Sequence, residues 1–474
     1  MNVESLFENV LKTLNESLDV ASRLIEKKDG KIGMIFLKSM TDNLLFSKAV
    51  FEPLSKLDSV EFEKVKQCIE PNDVAVVGKD EIVEKIINGA VIVATSKSEQ
   101  FLAVDLLKFA TRVPSEPPTS PVLMGPREGF VEDLKTNLTL LRRRFRSQSL
   151  VLEQASVGKI TKTQVVIAYL DGVADKNVVK KIRKKLEKAD IDGVVDSYYL
   201  VSFLSDRPRS ILKQVGCSEK PDIVAAKMLE GRVAVIVDNS PIVLTVPFVF
   251  FEDMQNSNDY YTNYAFSTFM RVIRVFAFVM AVLGPGVYIA LQLFHYNILP
   301  IKYLITIADS TQQIPFTPFI EILFISLLFQ ILYEVSLRLP SYLGMATSIV
   351  GALILGDTGV KAGLISPPSV IVVAIAKIAL YTIPEQSAQI TIAQFVFLML
   401  GSSLGLLGVV GGAIYMITYA NSLENFGAPY LAPFSPFVLS DNKDALLKVP
   451  LANMNKRPLS LNNKNVYRCN DDEK

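Results

Sequence analysis

Hydrophobic and polar positions divide this chain between two solvents. Up to about Arg274, apolar residues alternate or recur at helical spacing among dense charges. Through the next roughly 145 residues charges become sparse and apolar runs long, and then charges return. The middle stretch predicts membrane-spanning helices over about Val275–Phe294, Phe316–Arg338, Leu364–Ile383 and Ile392–Ala420, with Gly284-Pro285-Gly286 kinking the first. A further apolar run, Leu343–Gly356, has the length of a re-entrant or interfacial segment. Arg338 and Lys361 flank that run, and the tail carries Lys443, Lys448, Lys456, Arg457, Lys464 and Arg468. The opposite loops carry only Lys302. The positive-inside rule then puts both termini on the cytosolic side, so the number of spans is even. Four is expected, and a fifth span over 343–363 would place the basic tail outside.

The charged half contains a repeat. Ile35-Phe36-Leu37 running to Asp42 parallels Ala168-Tyr169-Leu170 running to Asp175, each an apolar strand, a turn and an Asp in N-cap position. Gly89–Val93 and Phe101–Val104 parallel Gly231–Val235 and Ile242–Val246, and Pro221 opens a helix before the second pair. Residues 1–30 read as one amphipathic helix without a signal peptide. The expected fold class is an α+β cytosolic region of two related α/β subdomains, each with a small mixed sheet, followed by an α-helical transmembrane bundle of about four spans plus a re-entrant segment. The expected domains are 1–124, a connector helix at 125–148, 149–264, the transmembrane region 265–421 and a basic cytosolic tail 422–474.

Composition narrows the chemistry. The 474 residues carry a net charge of +1, which suggests no nucleic-acid partner. The run Arg142, Arg143, Arg144, Arg146 reads as a solvated helix face or a membrane-surface contact. Three dispersed cysteines (Cys68, Cys217, Cys469) and a single histidine, His295, form neither a disulfide framework nor a metal or triad constellation. Catalysis, cofactor and metal are not expected.

Three features of the chain are candidates for function. Ser326, Gln330, Glu334 and Arg338 recur every four residues along one slowly turning face of span two, either as a structural stripe with a Glu334–Arg338 pair or as the lining of an ion path. Lys377 in span three is buried on this reading and needs a partner, whereas Glu321 lies off that face near the membrane surface. Gly344, Ser348, Ala352 and Gly356 fall every four, as do Gly401/Gly405 and Gly408/Gly412. Such spacing permits close helix approach within one chain or between copies. Gly125, Pro126, Arg127 and Glu128 precede a helical run to Arg146, either as a stiff connector or as a coupling element.

Ordered matches add a resemblance. Gly125-Pro126-Arg127-Glu128 with Asn137–Arg144, Glu219–Asp222, Leu229–Ala234, Asp259-Tyr260-Tyr261, Ser348–Leu353, Ala362–Pro367, Phe426–Pro433 and Lys456-Arg457-Pro458 resemble the A subunits of GerA-type spore germinant receptors over about residues 20–460. The resemblance implies the spore inner membrane, a permease-like B subunit that binds nutrient germinants and a C-subunit lipoprotein. It also implies a homo-oligomer of A subunits, in contact with membrane lipid, that forms a germinant-gated cation channel. Gly129, and Gly356-Asp357-Thr358 with Lys361, depart from the family pattern.

Overall fold

The repeated order of apolar strands folds as a repeated sheet. In the computed structural model, which describes residues 3–69, 74–106, 124–312, 314–340, 343–344, 349–351, 353–463 and 465–468, two five-stranded sheets share one topology. The first holds β1 (Val20–Lys27), β2 (Gly30–Leu37), β3 (Val74–Val77), β4 (Ala90–Thr95) and β5 (Phe101–Asp105) in the order β1-β2-β4-β5-β3. The second holds β6 (Leu150–Val157), β7 (Thr163–Leu170), β8 (Gly216–Ser218), β9 (Val233–Val237) and β10 (Val243–Val246) in the order β6-β7-β9-β10-β8. Every neighbouring pair is antiparallel, so the sheets are not mixed as expected. Strands β2, β4, β7 and β9 are buried almost throughout because both faces of each sheet are covered, which explains their unbroken apolar runs. Asp42 and Asp175 cap the helical turns that follow β2 and β7, as their positions predict.

The expected helix over residues 1–30 is two elements. Helix α1 (Val3–Thr13) buries Val3, Leu6, Phe7 and Val10 against the first sheet. It then stops where Asn15 and Glu16 take left-handed backbone conformations, and the chain returns as β1. Helix α2 (Ile82–Ile87) shares the α1 face of the first sheet. In the second subdomain α4 (Lys176–Glu187) covers one sheet face. Helices α3 (Leu134–Arg144) and α5 (Pro221–Leu229) cover the other.

Helix α3, the expected connector, joins the subdomains by buried polar contacts. Arg142 is 2 % exposed and gives Nη2 and Nε to Asp19 at 2.8 and 3.0 Å, while Thr139 donates to the Ser39 carbonyl at 2.6 Å. Asp19→Ala would leave a buried guanidinium without its counter-charge, at a cost of about 3–5 kcal/mol. Thermal unfolding of the purified chain should show that loss, and a midpoint within a degree of wild type would refute the assignment.

The helical half follows a different path from the one expected. Among the described residues three helices have the length and apolarity of a membrane span, counting the last as continuous. Helix α6 (Tyr264–Leu293) leaves the α/β half, and Pro285 lies inside it. The short α7 (Ile301–Thr311) caps the far end, and α8 (Pro318–Arg338) returns. The chain then retraces α8, since Gly344 lies beside Ser336, Gly351 beside Leu332, and Val360 in the cluster containing Ile322 and Ile365. The described residues of the expected re-entrant segment therefore follow α8 back toward the far end.

The expected third span is α9 (Pro367–Leu380), only 14 residues between prolines at its start and Pro384 beyond its end. At 1.5 Å per residue it is about 21 Å long. It runs back toward the α/β half, from the Ile322/Ile365 cluster to Leu380 and Ile383 beside Ala277 and Ala281.

The expected fourth span, α10 (Ser387–Asn421), is a hairpin. Gly405 is non-helical at φ 63°, ψ −148°. A Cβ on Gly412 would sit 2.6 Å from Leu400 Cδ1 and 3.0 Å from Phe397 Cε1. In a straight helix residues 397 and 412 lie about 22 Å apart, so the chain reverses at Gly405. Both ends of α10 meet the α/β half, with Gln386 bonded to Asp253 at 3.1 Å and Ser422 to Arg207 at 3.1 and 3.2 Å. The tip at Gly405 meets Phe294 and His295 at the far end.

Candidate functional site

Four-residue spacing advances about 40° around a helix at each step, so a stripe of three steps swings through about 120°. The polar stripe of α8 does this. Ser326 is buried with its hydroxyl unpartnered, Gln330 is half-buried and accepts from Lys377 Nζ at 3.4 Å, and Glu334 and Arg338 are exposed. Arg338 Nη2 pairs with Glu334 Oε1 at 2.6 Å. The four residues therefore line no single interior surface of this chain. Its inner half touches α9 and its outer half faces away from the fold. Lys377 finds the partner that burial demands in an amide, not a carboxylate. Glu321, in the first turn of α8, is 1 % exposed.

The small residues resolve into intrachain contacts where they are described. A Cβ on Gly401 would lie 2.2 Å from the Gly286 carbonyl oxygen, and one on Gly405 3.0 Å from Phe294. A Cβ on Gly344 would lie 3.3 Å from the Ser336 carbonyl oxygen, whereas one on Gly356 would meet nothing. Ser348 and Ala352 lie outside the described residues.

The segment 125–128 faces the junction between the halves. Gly125, at φ +105°, has the Tyr261 ring where a Cβ would stand, and Tyr261 donates its hydroxyl to Asp222 at 3.0 Å. Glu128 bridges Arg143 at 2.7 Å and Arg144 at 3.2 Å, Pro126 is half-buried and Arg127 is exposed. The basic run of α3 is thus largely neutralised within the fold.

Spacing does not reveal the junction itself. Asp259 accepts from Arg271 Nε at 3.1 Å, Arg274 Nη1 at 2.8 Å, Arg274 Nη2 at 2.6 Å and the Asn256 amide at 3.1 Å. Burial would raise the Asp259 carboxyl, but these partners hold it below the usual range. Arg271 also grips Asp444 of the tail at 3.1 Å, and Lys448 donates to the Asp259 carbonyl. A second set, Glu252 with Lys227 at 2.6 Å and Arg232 at 3.2 Å, ties α5 and β9 to the same elbow. The basic tail is folded onto this elbow, with Tyr430 1 % exposed against Phe248 and Phe250.

Burial pushes the Asp444 carboxyl up to about 6, with Glu230 adding to the effect and Arg271 opposing it. Its ordinary value is 3.8, so between these values the docked tail binds a proton that a released tail does not. The contribution to docking is full below pH ~4 and is lost as pH rises through ~6. Asp444→Asn should flatten that part of the pH profile, read as hydrogen exchange over residues 441–448 at pH 5 and 7. An unchanged slope would exclude Asp444 as its source.

Between the two subdomains lies a cleft of about 660 Å³ whose lining includes Phe36, Phe46, Phe51, Gln154 and Gln164, with Arg23, Lys38 and Lys135 around it. An aromatic floor with a few amides and cations suits a small polar or anionic solute.

A family model described as Bacillus/Clostridium GerA spore germination protein matches residues 8–460. The chain belongs to this family. It is 32% identical over 484 residues to spore germination protein KA of Bacillus subtilis (strain 168), covering 99% of this chain and 89% of that one. It is also 32% identical over 466 residues to the membrane protein YfkQ of the same organism, covering 96% and 91%. The N-terminal domain of the A subunit of the Bacillus megaterium spore germinant receptor GerK3 aligns with 52% of this chain and 95% of its own, at 22% identity and a TM-score of 0.38.

Proposed function

We propose that this chain is the A subunit of a nutrient germinant receptor of the spore inner membrane, with its termini on the core side. It works with a permease-like B subunit and a C-subunit lipoprotein, and copies of it assemble into a germinant-gated cation channel. The observation that carries this reading is the elbow. Asp259 and Asp444 bind Arg271 and Arg274 at the base of α6, so displacement of the α/β half is passed to the helical half through buried ion pairs and not through a slack linker. Nutrient binding at the B subunit, or occupancy of the subdomain cleft, then shifts α6 and its neighbours. The outer stripe of α8, ionised and uncovered by this chain, supplies a wettable surface between copies.

The test is ion release from liposomes holding this chain with its B and C partners, with and without candidate nutrients. Nutrient-dependent K⁺ release that disappears when this chain is omitted supports the channel. Glu334→Gln is then expected to change conductance or cation selectivity severalfold without changing assembly. An assembled, nutrient-binding complex without flux would make the chain a signal-transducing scaffold, the second reading, which the mutual i,i+4 pairing of Glu334 and Arg338 accommodates without a pore.

A further inference from the structure

The far end of the helical half holds a buried carboxyl group without a neighbouring cation. Glu321 Oε1 accepts from the Ser366 amide at 2.6 Å and Ser366 Oγ at 2.7 Å, and Ser366 Oγ lies 2.8 Å from Ser369 Oγ. Glu321, Ser366 and Ser369 are each 1 % exposed or less. The charges elsewhere on α8 and on the segment after it pair among themselves, as Glu334–Arg338 and Asp357–Lys361, and Lys377 is held by Gln330. Among the described residues no cation accompanies Glu321.

Ser366 caps α9, and that helix end supplies the equivalent of about half a positive charge. Two of the amides that would deliver it are missing, because the first two helical residues are Pro367 and Pro368. An ionised carboxylate here would therefore be only partly offset by the helix end. Beside it are oxygens with nothing to bond. Tyr288 is 8 % exposed and its hydroxyl faces Ser369 and Glu321, close enough to Ser369 to interact but without a hydrogen bond of ordinary geometry to any group. Gln292, one turn further along the same face of α6, has a buried side-chain carbonyl oxygen that is also unpartnered. Ile289, Ile322, Ile365 and Val373 surround the group with hydrocarbon.

Buried oxygens left unpaired next to an unpaired carboxylate call for a missing ligand. Oxygen donors alone select a hard cation, and one carboxylate among neutral oxygens balances a single positive charge. We propose that Glu321, Ser366, Ser369 and Tyr288, with Gln292 adjoining them, bind one dehydrated monovalent alkali cation between α6, α8 and α9. Because the site lies inside one chain, it is separate from the Glu334 stripe, and binding at it does not require that the chain conduct.

The experiment is thermal unfolding of the full chain in nanodiscs while KCl or NaCl replaces choline chloride at constant ionic strength. The unfolding midpoint of the wild type rises saturably with K⁺ or Na⁺, Glu321→Gln removes the rise, and Tyr288→Phe raises the half-saturating concentration about tenfold. A wild-type midpoint equal in alkali and choline salts overturns the site and leaves a protonated carboxyl in its place. Retention of the full cation dependence by Glu321→Gln also overturns it. Should Glu321→Gln not fold, Tyr288→Phe and Ser369→Ala each remove a single oxygen, and wild-type half-saturation in both would refute the assignment. No flux is measured, so failure here is distinct from failure of the channel reading.

Discussion

Replacing Gly401 with leucine is expected to abolish the folded helical half, leaving no monodisperse protein in detergent. Helices α6 and α10 meet backbone to backbone. A Cβ on Gly401 would stand 2.2 Å from the Gly286 carbonyl oxygen and 3.1 Å from Ile289 Cγ2, and one on Gly286 would stand 2.6 Å from the Phe397 carbonyl oxygen. Neither helix can retreat, because Gly405 turns the chain back immediately beyond, against Phe294 and His295. Overpacking a well-filled site costs about 1–3 kcal/mol when side chains can yield, and backbone against backbone exceeds that range. Gly401→Ala should already halve or worse the recoverable fraction. Gly411 is the control, since a Cβ there meets nothing. Gly411→Ala should be neutral or slightly stabilising, by up to about 1 kcal/mol from helix propensity. Size-exclusion chromatography of the purified variants decides the matter. A wild-type monomer with an altered oligomer in Gly401→Leu would move this glycine to an interface between copies.

That contrast also marks what the sequence can and cannot convey. The repeat was legible because each strand carries its own apolar run and each following Asp its own cap, both local properties. Strand direction was not, since antiparallel and parallel neighbours present the same apolar runs once both faces are covered. The end of α1 was hidden because Leu14, Leu18 and Ala21 continue the helical spacing, and only the backbone of Asn15 and Glu16 breaks it. In α10 the small residues at 401, 405, 408 and 412 read as a packing face. They do pack, but Gly405 also reverses the chain, and apolar periodicity is unchanged by a turn made from one residue. The stripe on α8 was visible as a spacing, but the 40° drift per step carries its last two members out of the interior. Glu321 was missed because its partner Ser366 lies 45 residues away on another element. A carboxylate three residues after Thr317-Pro318, with a Ser-Pro-Pro helix start further along, was the one available hint.

The elbow gives the second large effect. Asp259→Ala is expected to disconnect the α/β half from the helical half while leaving both folded. The aspartate is 2 % exposed and is the only described carboxylate shared by Arg271 and Arg274, with four hydrogen bonds reaching its side chain. Removing it takes one of two carboxylate partners from the fully buried Arg271 and the sole described one from the largely buried Arg274, at a cost of about 3–5 kcal/mol. Arg271 retains Asp444 and the carbonyls of Asp444 and Ala445, so the tail stays attached to α6. Arg274 keeps only the Met254 carbonyl. The weak point is therefore the stretch 255–263. Limited proteolysis should cut there in Asp259→Ala and spare the wild type, and under the proposed channel function nutrient-triggered flux should fall by at least tenfold although the chain still inserts. Asp259→Asn keeps the shape and the Arg274 contact but removes the charge, so it should fall between the two. If Asp259→Ala is cut no faster than wild type and responds to nutrient normally, the ion pairs at this elbow hold shape alone. The signal would then have to cross by the apolar contacts of Phe250 and Phe251 with Phe278 and Phe434.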